Sequence, residues 1–140
     1  MSRLLFVNMS ISDATASRAY FSTLGFGFNE TFCDEHTLCL EINDSTWAML
    51  LEEARFQEFL GEDCIIDTST TREVLLAISA DSREAVDEFV MSAVDAGGKP
   101  WGKDQDYGFM YSKSFTDLDH HVWEVVWMEP RAAQDGPPDM

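Results

Sequence analysis

The chain is written twice, and that repetition constrains its fold more than any single motif does. A strand, a helix and a set of strands run from Leu4 to about Leu51, and the same order returns from Glu73 to Met128. Aligning Ile11-Ser12-Asp13 with Ser79-Ala80-Asp81 gives an offset of 68, and aligning Thr46-Trp47-Ala48-Met49 with Val122-Trp123-Glu124-Val125 gives 76. A longer second helix and a longer second hairpin account for the drift of 8. A half-domain that cannot bury its own sheet must pair with its copy. The cleft between two such halves is a natural ligand site.

In the first half, Leu5, Val7, Met9 and Ile11 alternate with Leu4, Phe6, Asn8 and Ser10, which predicts a strand. A helix follows, capped by Ser12 or Asp13, with Ala16, Ala19, Tyr20, Phe21 and Leu24 at helical spacing and Gly25 as its stop. Phe26 to Phe32, Thr37 to Ile42 and Thr46 to Leu51 read as strands. A short helix is expected over Glu53 to Leu60, with Phe56, Phe59 and Leu60 inward. Residues 61–72 form a polar, Thr-rich connector, an arm or a lid. The second half opens on the apolar run Glu73 to Ser79. Asp81 and Glu84 have capping-box spacing ahead of a helix buried through Ala85, Val86, Phe89, Val90, Ala93 and Val94, which Gly97-Gly98 ends. Strands are expected near Lys99 to Trp101, at Tyr107 to Phe115 and at His121 to Met128, and residues 130–140 as a flexible tail.

A chain of 140 residues suffices for one domain, here 1–129 with modules of about 3–60 and 73–129. The net charge of −17 argues against nucleic acid, whose binding rests on Lys and Arg neutralising phosphates, and against anionic membranes. It suits solubility, or attraction of a cationic ligand. Cys33, Cys39 and Cys64 lack the C-x-x-C spacing of a metal or redox site, which fits a reducing cytoplasm. The first eleven residues carry no cleavage signature, and no stretch approaches the ~20 apolar residues of a membrane span.

Three segments carry a family resemblance. They are Phe6-Val7-Asn8-Met9-Ser10-Ile11-Ser12-Asp13 with the helix through Tyr20-Phe21 and Leu24-Gly25-Phe26; Ser79-Ala80-Asp81-Ser82 through Gly97-Gly98; and Phe115-Thr116-Asp117-Leu118-Asp119-His120-His121-Val122-Trp123-Glu124. Together they resemble the glyoxalase / bleomycin-resistance / extradiol dioxygenase (vicinal oxygen chelate) superfamily over residues 3–129. The third departs from the usual D-P-D-G-(H/N)-x-x-E at Leu118 and His120, the latter where glycine supplies a positive φ. The resemblance implies an α+β fold: two tandem βαβββ modules forming a cup-shaped mixed sheet with helices on its outer face. It also implies a homodimer.

Carried over from the resemblance, the metal-ligand positions fall on Phe6, Ala48, Val74 and Glu124, of which only Glu124 can bind a metal. About three side-chain ligands are needed to hold a divalent ion, so no cofactor is expected. The alternative is a lyase, isomerase or dioxygenase using Zn, Ni, Mn or Fe, with Glu124 and His121 as its weak ligand candidates. His120 and His121 are adjacent and point apart on a strand, so a turn histidine plus an edge histidine is the plainer reading. Glu124 is the catalytic candidate, a general acid/base if a reaction occurs. The opposing possibility is that it hydrogen-bonds Tyr107, Tyr111 or Asn8 and merely closes the cup. Candidate ligand-binding residues are Phe6, Asn8, Ala48, Arg72, Val74, Trp101, Tyr107, Tyr111 and Val126, around a small organic molecule.

Overall fold

Two parallel strand pairings organise the chain. A computed structural model describes residues 3–138, which divide into two units between Asp67 and Thr68. In the first unit, strand β1 (Leu5–Ile11) is followed by helix α1 (Ala14–Thr23), β2 (Gly27–Phe28), β3 (Thr37–Asn43), β4 (Thr46–Glu52) and helix α2 (Glu53–Leu60). β1 returns beside β4 in parallel, giving the sheet order β1-β4-β3-β2. In the second, β5 (Leu76–Ser79), helix α3 (Arg83–Asp95), β6 (Lys99–Pro100), β7 (Gln105–Asp106), β8 (Met110–Thr116) and β9 (Val122–Met128) are followed by helix α4 (Pro130–Asp135). There the order is β5-β9-β8-β6, with β6 and β7 pairing opposite ends of β8. The architecture is α+β, and each unit repeats the βαβββ plan.

Local chemistry sets the boundaries. Asp13 caps α1, its carboxylate accepting from Thr15 N at 2.9 Å and Ala16 N at 3.2 Å. The cap of α3 is Ser82, which accepts from Ala85 N at 3.0 Å, rather than the expected Asp81. The strand expected over Phe26 to Phe32 stops at Phe28. Asn29 accepts from Thr31 N and turns Glu30–Phe32 into a 3-10 turn, a side-chain bond that competes with the ladder. The run from Glu73 pairs with β9 only from Leu76, which lies opposite Trp123, so Glu73 to Leu75 stand ahead of the ladder. Val74 and Leu75 are consequently exposed. Helix α2 has the expected bounds, but Phe59 is exposed, with the Arg55 guanidinium 4.7 Å from its ring centroid. Residues 130–135, expected to be loose, form α4 with Pro130 in its first turn and Ala132 buried.

One face of each sheet packs on its long helix. In the first unit that face carries Met9, Ile11, Leu38, Leu40, Ala48 and Leu50, all 5% exposed or less. Arg18 of α1 over the Phe28 ring, itself paired with Leu40, places α1 there. In the second unit the face carries Trp123, Val125, Phe115 and Tyr111. Phe89 of α3 lies 6.0 Å from Phe115, and the Tyr111 hydroxyl donates to Asp87 at 2.6 Å.

The turn from Asp117 to His121 is held by one buried carboxylate. Asp117 Oδ1 accepts from Asp119 N at 2.9 Å and His121 N at 3.1 Å, and Oδ2 accepts from the Trp123 indole at 2.9 Å. Burial pushes this carboxyl above its ordinary value, while His121 and the three donors pull the other way. His120 takes φ 65°, the one positive φ among described non-glycine residues, as its place in the turn anticipates. Asp117→Asn would set an amide against a donor, leaving either the indole or a backbone N–H without its acceptor. An unmade buried hydrogen bond costs about 1–3 kcal/mol. Urea unfolding is expected to report that loss, and a smaller one when Asn is introduced into a Trp123→Phe background.

Candidate functional site

Side-chain alternation along β9 separates its chemistry from its core. Trp123, Val125 and Trp127 point towards α3, and Val122, Glu124, Val126 and Met128 occupy the opposite face. Glu124 stands between Ala77 of β5 and Ser114 of β8. Ser112, Ser114 and Thr116 alternate along β8 on that face, so a row of hydroxyls runs beside the carboxylate. Much of the surface lies out of solvent: Val122 is 2%, Thr116 5% and Ser112 7% exposed. Glu124 is half-buried, and among the described residues its carboxylate makes no hydrogen bond or ion pair. The closing bonds considered for it are absent: Tyr111 points to the helix side and donates to Asp87, and Tyr107 is an exposed turn residue stacked loosely on Phe109.

The first unit's face away from α1 is different. Phe6 lies beside Trp47, the two rings stacked 5.0 Å apart at 13°, and Asn8 lies beside Met49. Across β4, Met49 pairs with Cys39, whose thiol is pushed up by burial. Ala48 is on the opposite face, 2% exposed beneath α1, so it does not join Phe6 and Asn8. The candidates Arg72 and Val74, which have the parity of Leu76 and Ile78, are corrected in the same way. Leu76 and Ile78 pair with Trp123 and Val125 on the helix side, and Ala77 and Ser79 share the Glu124 face. Val74 and Arg72 precede the strand.

Both corrections come from one-residue errors of offset. The helix caps Asp13 and Ser82 give 69, as do Asn8 and Ala77, the partners of Met49 and Glu124. Met49 and Glu124 themselves differ by 75. A slip of one residue moves a strand's side chains to the other face. The positions level with one another across the repeat are therefore Asn8, Met49, Ala77 and Glu124.

The remaining candidates lie elsewhere in the second unit. Arg72 donates to Thr68 O, and its guanidinium sits 6.0 Å from the Trp101 ring centroid. Thr68 donates to Asp119 O at 2.8 Å, so the connector's last residues are tied to the turn before β9. Trp101 follows β6, its N–H bonded to Ser114 O. Val126 shares the Glu124 face, and His121 belongs to the Asp117 turn. Ser112, Ser114 and Thr116 were missed as candidates. Their period-two spacing beside β9 was the available signal.

Neither unit's donor set fits a resident metal. Asn8 and Met49 offer one amide and one thioether in the first unit, and Ala77 and Glu124 no donor and a single carboxylate in the second. No group of three His, Cys, Asp or Glu among the described residues is placed to hold an ion.

No protein-family model matches the chain, and no curated protein matches it. Solved structures do. A glyoxalase/bleomycin resistance protein/dioxygenase family enzyme from Burkholderia phytofirmans PsJN superposes with TM-score 0.74 at 20% identity, covering 91% of this chain and 99% of that one. A glyoxalase-related enzyme from Fulvimarina pelagi gives 0.76 at 18% identity, covering 91% and 88%. The genomically encoded fosfomycin resistance protein FosX from Listeria monocytogenes gives 0.63 at 16% identity, covering 91% and 93%. At these identities the likeness is one of fold: the chain has the glyoxalase / bleomycin-resistance / dioxygenase fold that its sequence resembles. No helix among the described residues is long and apolar enough to cross a membrane.

Dialysed protein titrated with Zn²⁺, Ni²⁺, Mn²⁺ and Fe²⁺ is expected to keep its melting temperature. A resident ion at about a hundredfold excess over Kd would add about 2.7 kcal/mol. A saturable rise with any of the four would overturn the donor argument.

Proposed function

We propose that this chain binds a small organic molecule through Glu124, with no resident metal, on the glyoxalase / bleomycin-resistance scaffold. The carrying observation is a half-buried carboxylate without a partner among the described residues, on a face that also presents Ser112 and Ser114. A charge withdrawn from water without compensation is costly in a folded protein. A ligand that donates hydrogen bonds or carries positive charge would supply that compensation. The serine hydroxyls can both donate and accept, so they would orient the bound molecule's polar groups.

In this reading Glu124 is also the group able to take up or give a proton to the bound molecule. The scaffold hosts several chemistries, so a binding protein and a metal-independent isomerase or lyase use the same residue differently. The net charge of −17 favours a cationic or neutral ligand over an anion. Pairing of two chains and a cytoplasmic setting belong to the same proposal, on the strength of the resemblance and the unpaired cysteines.

A melting-temperature screen of organic amines, amides and polyols is expected to yield compounds that raise the midpoint saturably. Glu124→Gln should abolish that rise, and Ser114→Ala should weaken it. If every stabilising compound acted equally well on Glu124→Gln, the ligand would not be held there.

A further inference from the structure

A concavity lies away from Glu124, on the α3 side of the second unit. It is a groove of about 500 Å³ between α3 and the chain from Pro100 to Asp104. That volume falls in the range that houses small organic ligands, about 300–1,000 Å³. One wall is a single line of side chains. Asp87, Met91 and Asp95 recur every fourth residue and so stack along one edge of the helix. Val90 and Val94 deepen that wall, and Pro100 and Trp101 form the other.

The groove is held in shape by ion pairs. Lys113 reaches Asp87 at 3.1 Å and Asp104 at 3.6 Å, tying the helix to the loop opposite. Next along the chain, Arg83 grips Asp106 with two bonds of 2.9 Å, which holds that carboxyl down to about 2. Asp104 and Asp106 therefore fix the far end of this wall, and the pairing of Lys99 and Pro100 with β8 fixes its start.

Two features of this groove are not explained by stability. Met91 leaves 64% of its surface exposed at the rim. Asp95 is the last residue of α3, where the helix dipole disfavours a negative charge, and it has no ion pair or hydrogen bond among the described residues. Three carboxylates face one ammonium, so the lining carries a net negative charge beside apolar surface from Met91, Val94 and Trp101. The charge complement is a cation with an apolar body.

We propose that this groove binds an amphipathic organic monocation, its ammonium at Asp95 and its apolar part against Met91 and Trp101. The groove is lined by Ser114 but not by Glu124, and the proposal does not depend on the function assigned to that carboxylate. The probe is 2-(1-naphthyl)ethylammonium, followed by amide chemical-shift changes on the full chain. Saturable binding is expected, with shifts centred on residues 87–104. Asp95→Asn is expected to weaken it by up to about fivefold, the loss of one exposed charge pair. It should leave the melting temperature unchanged or raised, since an acid leaves the negative end of a helix. The neutral analogue 2-(1-naphthyl)ethanol should bind correspondingly worse, and Glu124→Gln should bind the probe as the unmodified chain does. Equal binding by Asp95→Asn, equal binding of the alcohol, loss of binding in Glu124→Gln, or no saturation into the millimolar range would each overturn the proposal.

Discussion

Everything the two units present to a ligand follows from two parallel strand pairings, β1 beside β4 and β5 beside β9. A parallel neighbour sets two side chains on one face, level with each other. Asn8 stands by Met49, and Ala77 by Glu124. The long helix covers one face of each sheet, which carries Met9, Leu40 and Leu50 in the first unit and Trp123, Val125 and Phe115 in the second. The other face is left to carry whatever chemistry the chain has. A slip of β9 by one residue would bury Glu124 under α3 and bring Trp123 out, exchanging one face for the other.

That sensitivity explains what could and could not be read from the residues. Element types and most boundaries were legible, because caps, glycine stops and alternation are local signals: Asp13 before α1, the full extent of α2, the alternation of β9. The faces of β1 and β9 were legible for the same reason. Their alignment to each other was not. It was anchored on Trp47 and Trp123, two tryptophans in matching strands that point in opposite directions. Trp47 stacks on Phe6 away from α1, whereas Trp123 is buried with its indole bonded to Asp117. Residue identity carries no orientation. The opening strands slipped for a separate reason: Asp13 was set against Asp81, whereas the residue that caps α3 is Ser82.

The turn before β9 illustrates the opposite case, in which an irregular residue was correctly legible. Glycine usually meets the demand for a positive φ at that turn, and here His120 does, at φ 65°. Asp117 makes this tolerable by binding two backbone N–H groups of the turn and the Trp123 indole at once. The same carboxylate thus shapes the turn and locks β9 in the register that puts Glu124 on the face away from α3. A histidine pair that invites a metal reading is, in this setting, part of the strand's anchorage.

Duplication also separates what the two units do. At matching positions the first unit carries Asn8, Met49 and Cys39, and the second Ala77, Glu124 and Ser114. Cys39 is 1% exposed and Phe6 is spent on stacking with Trp47, so the first unit's residues mostly serve packing. The second unit's residues are small or polar and leave their hydrogen-bonding groups available. A repeat needs both copies for its sheets but only one for its chemistry. Asparagine and methionine at the first unit's positions leave its sheet intact. The scarcity of metal-binding side chains among the described residues is therefore compatible with an intact scaffold.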